Sequence, residues 1–193
     1  MADLVKYPNR KLTLEELENA KFPAGQSYTK ALEMLFYIAK VHPDEVSVYV
    51  NDPATPEQIE GFIQRTGIQL TEELKSLYAF ANGIHISRAV DIYIYSLDQA
   101  EKLYSEGSYD WWSFDEYAEL GTEGGCGDMI LLERSTQRLF THDHEEPEMY
   151  IGTSDLKDLF ENGIDTACAM IYVEDQKILD YAQKIYESWK NDQ

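Results

Sequence analysis

Histidines and carboxylates gather at one place in the chain, His142-Asp143-His144-Glu145-Glu146. On a strand His142 and His144 would share a face, because successive side chains alternate. Two imidazoles with carboxylates can hold zinc or another divalent ion. A metal centre also needs a third and a fourth ligand in fixed geometry, and none stands at a telling distance. The segment runs into Pro147 and reads as an exposed loop, so no metal is assigned. The stretch Gly121 to Gly127 raises a second possibility, a phosphate cradle. That motif requires a following Lys-Ser/Thr and a helix N-terminus. Here Asp128 and an apolar run follow, and an acid beside the glycines repels phosphate. A backbone bend entering a strand accounts for the glycines better. No Ser, Cys or His falls in a nucleophile pattern such as Gly-x-Ser-x-Gly. Carboxylates are plentiful, but no cleft is evident that would separate their pKa values for acid–base work. Cys126 and Cys168 are too few for a disulfide framework and do not match zinc spacing, which leaves two unbridged thiols. The residues thus assign no catalytic group, no metal and no cofactor.

The informative pattern is charge. The chain has 193 residues with Lys+Arg 16 against Asp+Glu 36, a net charge of −20. That balance excludes binding to nucleic acid through phosphates and binding to an anionic membrane, both of which need a basic surface. It suits a basic partner drawn in by long-range attraction. The acids are not spread evenly. Leu103 to Glu133 contains no Lys, Arg or His but holds Glu106, Asp110, Asp115, Glu116, Glu119, Glu123, Asp128 and Glu133. Leu139 to Leu156 contains no Lys or Arg but holds Asp143, Glu145, Glu146, Glu148 and Asp155. The two runs bracket a central hairpin and are expected to form one acidic face. Tyr109, Trp111, Trp112 and Phe114 lie inside the first run, and Trp and Tyr are favoured interface anchors. Adjacent residues on a strand point to opposite faces, so one indole is expected in the core and the other at the surface. The candidate partner-binding residues are Tyr109, Asp110, Trp111, Trp112, Asp115, Glu116, Asp143, Glu145 and Glu146.

The elements that must position them start with Thr13, a cap for a short helix with Leu14 and Leu17 inward. A stronger helix begins near Ser27, with Tyr28, Ala31, Leu32, Leu35, Phe36 and Ala39 at helical spacing, and ends at Pro43. Val46, Val48 and Val50 alternate with Ser47 and Tyr49 as a first strand or an extended linker. Thr55-Pro56-Glu57-Gln58 is a capping box with Pro at the first helical position. Gly67 stops that helix, with Ile68 packing back on Ile63 as in a Schellman ending. Thr71 caps a second helix that carries Leu74, Leu77, Tyr78 and Ala81, and Asn82-Gly83 closes it in the left-handed conformation. Ile84 to Tyr95 predicts a pair of strands, Leu97 to Tyr104 a short helix, and Met129 to Leu132 a central strand. A turn over Arg134 to Gln137 makes Arg138 to His142 the second arm of a hairpin, and Met149 to Ile151 predicts a further strand. Ile178, Tyr181, Ala182, Ile185, Tyr186 and Trp189 line one side of a C-terminal amphipathic helix, which is expected to pack on the chain's own sheet or N-terminal helices. Helices against a mostly antiparallel sheet make an α+β fold.

The order of these motifs resembles the SUKH superfamily, the Smi/Knr-like domain of bacterial toxin-immunity proteins and of a fungal cell-wall regulator. The likeness runs through the capped helix and Gly turn, the Leu-x-x-Leu-Tyr helix with its Asn-Gly, Asp91 to Leu97 (DIYIYSL), Gly121 to Glu133 (GTEGGCGDMILLE), and Ile151 to Phe160 (IGTSDLKDLF) with its Ser-capped helix. The domain is similar over residues 46–163, with an N-terminal helical extension at 1–45 and a C-terminal strand and amphipathic helix at 164–193. Thr71 departs from the family, which usually has Pro there. The resemblance implies a non-catalytic module that binds proteins. One role is a cytosolic immunity protein that neutralises a toxin domain, commonly a nuclease, whose basic groove an acidic face could occupy. The other is a regulatory or scaffolding protein. MADLVKYPNRK has no apolar core, so no secretory signal is expected. No run approaches the ~20 apolar residues of a transmembrane helix, and a cytoplasmic location is expected.

Overall fold

Alternation of side chains sorts every strand of this protein into two faces. The computed structural model describes residues 8, 10–106, 115–125, 127–143, 145 and 155–191. Among them the strands are β1 (Arg10–Lys11), β2 (Val46–Val50), β3 (Ile84–Arg88), β4 (Ile92–Ile94), β5 (Tyr117–Glu123), β6 (Asp128–Glu133) and β7 (Leu139–His142). They form one antiparallel sheet whose spatial order is the chain order, β1 to β7. One face carries Val46, Val48, Val50, Ile84, Ile86, Ile92, Ile94, Ala118, Leu120, Ile130, Leu132 and Leu139, all buried in a single cluster with the helices. The fold is α+β.

The helices are α1 (Leu14–Asn19), α2 (Thr29–Val41), α3 (Pro56–Thr66), α4 (Glu72–Phe80), α5 (Leu97–Glu106), α6 (Leu156–Met170) and α7 (Gln176–Asn191). The capping chemistry places their starts. Thr13 and Thr55 each complete a capping box, and Thr71 accepts from the Leu74 N–H at 3.2 Å. Leu14 is exposed, so Leu17 alone fixes the inner side of α1. Gly67 adopts φ 69° and its N–H reaches the Ile63 carbonyl at 2.8 Å. The Ile68 N–H turns to the Thr66 hydroxyl at 3.1 Å, which makes this a single-bond left-handed ending, not a Schellman motif. Past α4, Gly83 takes the positive φ (107°) without Asn82. The Asn82 side chain accepts from the Leu97 N–H at 2.9 Å, tying α4 to the start of α5.

Two elements differ from expectation. The cap of α6 is Asp155, which accepts from the Asp158 N–H at 2.9 Å, one residue after the expected Ser154. The helix then runs unbroken to Met170, so there is helix where a strand was expected after residue 164. Gly163 lets it do so. A Cβ there would lie 2.7 Å from Ile92 Cδ1 and 3.3 Å from Val90, so the missing side chain is what allows α6 down onto the sheet. The inner stripe of the amphipathic α7 is covered by its own chain. Ile178 and Ile185 are buried, it packs on α6, and the Tyr37 hydroxyl of α2 donates to Asp175 at 2.9 Å just before it. The expected strand at Met149 to Ile151 lies outside the described residues.

Candidate functional site

The face of the sheet turned away from α2 and α6 is set by register. Lys11, Tyr49, His85, Tyr93, Thr122, Met129 and His142 stand opposite one another across all seven strands. The rings in the first half of this row touch. Tyr49 and His85 stack at 5.9 Å, His85 and Tyr93 lie 5.3 Å apart, and Tyr93 meets Tyr95 edge-on at 4.9 Å. Polar tips are held by neighbours. His85 Nε2 is 3.0 Å from Asp91 Oδ1, and Gln99 donates to the Tyr93 hydroxyl at 2.5 Å. The Tyr95 hydroxyl donates to Glu119 at 2.9 Å. Beside this row Leu131, Met129 and Phe140 form a second apolar cluster flanked by Tyr117.

A bulge displaces the register between Glu119 and Gly121. It leaves both Leu120 and Ala118 in the helix-side core and lets Glu119 face the other way, where it is buried. The next step, Gly121, has no room for a side chain, since a Cβ would overlap the Tyr93 carbonyl oxygen of β4. Gly124, Gly125 and Gly127 take φ of 80°, 66° and 101° in the turn to β6, and the Gly124 N–H donates to the Asp91 carbonyl at 2.8 Å. The Gly-rich stretch is therefore the end of one strand and a hairpin turn, whose backbone is engaged by Asp91.

The acidic candidates divide between the two ends of the β5–β7 ribbon. Asp115 and Glu116 are exposed just ahead of β5, where the Glu116 carbonyl accepts from Arg134 N–H at 2.8 Å. This end also carries cations. The Arg134 guanidinium stacks over the Tyr104 ring at 5.6 Å, and Arg138 adjoins β7. Asp143 and Glu145 lie past the end of β7, at the level of Asp128 and Glu123. The Glu145 N–H donates to Asp143 Oδ1 at 2.8 Å. Glu116 stands at the level of Arg134 and Asp143 at that of Asp128, six strand steps or about 20 Å apart along β6, so the described candidates sit toward the two ends of the ribbon. Tyr109, Asp110, Trp111, Trp112 and Glu146 lie outside the described residues, as does His144, the second histidine of the metal motif.

The far end gathers Asp91, Glu123, Asp128, Asp143 and Glu145 around the Gly-rich turn. Arg88, at this end of β3, donates to the Asp44 carbonyl at 2.5 Å. Burial pushes the Glu123 carboxyl above its ordinary value. The Thr141 hydroxyl, donating at 2.7 Å, works against that, and the charge of Asp128 adds to it. Among the described residues no three His, Cys, Asp or Glu side chains converge as metal ligands, and no helix is long and apolar enough to cross a membrane. The aromatic row and Asp91 were not singled out from the sequence. The alternation Ile92-Tyr93-Ile94-Tyr95 was the available signal, but its meaning depends on which strands flank it.

Among curated proteins none matches the chain at a significant level. The model of the SMI1/KNR4 family (SUKH-1) matches residues 53–162, from the capping box of α3 into α6. That span is more than half of the chain and takes in β3 to β7 with the Gly-rich turn, and the family is associated with protein partners. The chain belongs to the SMI1/KNR4 family (SUKH-1).

Proposed function

We propose that this protein is an immunity protein, a non-catalytic cytoplasmic module that binds a basic toxin domain and blocks it. The observation that carries the reading is the crowding of Asp91, Asp128, Asp143 and Glu145 at one end of the sheet in a chain of net charge −20. A nuclease presents a cationic groove to phosphates, and a fixed row of carboxylates can occupy that groove in place of the polyanion. Complementary charge lifts the encounter rate above the neutral ~10⁵–10⁶ M⁻¹s⁻¹ and makes it fall with salt. Within the aromatic row Tyr93 and Tyr95 are buried, so the half-buried Tyr49 and His85 are the rings open to the same contact, where they slow dissociation.

The test is binding to a basic toxin domain encoded beside the gene, followed by charge reversal at each end separately. Asp143→Lys with Glu145→Lys is expected to cut the association rate at low salt by about tenfold or more. Asp115→Lys with Glu116→Lys, at the end that carries arginines, is expected to do less. An association rate indifferent to both reversals and flat from low to high salt would falsify the steering mechanism. A locus with no toxin gene beside it turns the assignment toward a regulatory scaffold.

A further inference from the structure

Past α6 the chain turns extended, and its side chains alternate. Ile171 (φ −114°, ψ 142°) and Val173 turn inward and pack on the core cluster. Met170, Tyr172 and Glu174 turn outward, with Met170 71% and Tyr172 83% exposed. Both ends of this connection are held. The Ile171 N–H donates to the Ala167 carbonyl at 2.9 Å. One Asp175 carboxylate oxygen accepts from the Lys177 N–H at 2.9 Å and the Ile178 N–H at 3.3 Å, and the Tyr37 hydroxyl donates to the other at 2.9 Å. A thioether and a phenol are therefore displayed to water on backbone that has little freedom left to lose on binding.

This outward row stands at the acidic end of the sheet. α2 runs toward that end, since only a short turn separates it from Val46, whose N–H donates to the His42 carbonyl at 2.9 Å and which faces Arg88. α6 runs the same way. Phe160 meets Tyr28 with 6.0 Å between the rings, and farther along both helices Gly163 lies against Leu35. At Gly163 the helix crosses Val90 and Ile92, and Ile92 is at the level of Glu123 and Asp128. The helix continues to Met170, about 10 Å farther. Met170 and Tyr172 thus emerge on the helix side of the end that carries Asp91, Asp128 and Asp143, while Tyr49 and His85 belong to the opposite side of the sheet.

Tyrosine and methionine are enriched where proteins bind one another, and a tyrosine ring offers a large contact area for few torsions. Exposed apolar groups rimmed by polar ones mark such a site. Charge decides what fits on them. Glu174 shares the outward side, and Asp165 is exposed in the last turns of α6. Lys177, the next base along the chain, is turned over the Tyr37 ring at 3.8 Å. In a chain of net charge −20, a second copy would bring acid against acid. A cationic protein with an apolar pocket matches the row in both respects. We propose that Met170 and Tyr172 are the apolar anchors that hold the basic partner drawn in by the acidic end. Resting on the immunity function proposed above, this names the groups that keep the toxin domain bound once the carboxylates have steered it into place.

The full chain and its variants are measured for association and dissociation with the basic toxin domain encoded beside the gene. Met170→Ala with Tyr172→Ala is expected to raise the dissociation rate about tenfold or more and to leave the low-salt association rate within about twofold. Tyr172→Ala alone carries most of that effect, and Tyr172→Phe, which keeps the ring, is expected to stay within about threefold of the parent. Tyr186→Ala removes another exposed ring, on α7, and is expected to change neither rate. Both anchors are exposed, so an unchanged melting temperature is expected and shows that the variants are folded. A dissociation rate indifferent to the single and the double alanine variant overturns the proposal. If reversal of Asp143 and Glu145 still slows association in that case, the proposed function stands without it. A toxin domain that does not bind the parent chain overturns both. Self-association of the chain in sedimentation, abolished by Tyr172→Ala, also overturns the proposal by giving the row to a second copy.

Discussion

Glu123 is a carboxylate placed where water reaches it poorly, and its pH behaviour follows from that. Its folded-state pKa lies above the ordinary glutamate value of 4.5, chiefly through burial. The native protein therefore holds this proton more tightly than the unfolded chain does. The cost of the ionised form is full at neutral pH and disappears as pH falls below about 4.5. Glu123→Gln keeps a partner for the Thr141 hydroxyl and is expected to raise the melting temperature at pH 7. The gap from the parent should close as the pH is lowered through that window, as calorimetry at several pH values would show. A variant less stable than the parent at pH 7 would mean that the ionised carboxylate is stabilising. Single residues of this kind were only half legible in advance. The concentration of acids near Glu123 was plain, but which of them are turned inward was not. Glu119 and Glu123 belong to the same run as the exposed Asp115 and Glu116, and only the pleat and the bulge at Leu120 separate their environments.

Among elements, those whose ends are fixed by local hydrogen bonds could be read directly. Thr55 accepts from the Gln58 N–H at 3.3 Å while Gln58 Oε1 accepts from the Thr55 N–H at 2.8 Å, the arrangement that Thr-Pro-Glu-Gln announces. Thr55→Ala removes one half of it and is expected to cost about 1 kcal/mol, measured as a shift in the urea midpoint with an unchanged slope. A loss below a few tenths of that would show Pro56 alone fixing the start of α3. Elements whose existence rests on tertiary contact escaped notice. β5 was missed because Gly121, Thr122 and Glu123 break the apolar alternation, and its pairing with β4 and β6 is what makes it a strand. The far half of α6 was missed because a strand was expected from residue 164, just past Gly163. In the structure it is the point of closest approach between helix and sheet.

At the scale of the whole molecule, a charge of −20 opposes compaction. Raising ionic strength from ~0.01 M to ~0.15 M shortens the Debye length from ~30 Å to ~8 Å. The melting temperature is expected to climb over that interval by an amount on the order of a few degrees for a domain of this size. A flat response would show that the carboxylates already find enough local partners. The α+β class was legible because alternating strands and capped helices announce it. The split of the acids between two ends was not, since it depends on strand direction within the sheet.

The order of the sheet has a temporal side. Because each strand lies next to the one made just before it, a nascent chain can add rungs in the sequence in which a ribosome delivers them. The exception is α6, which closes over Leu35 of α2 only after more than a hundred residues have been synthesised. Until then the inner side of α2 stays uncovered, so the vulnerable interval in the life of each molecule is the last part of its own translation.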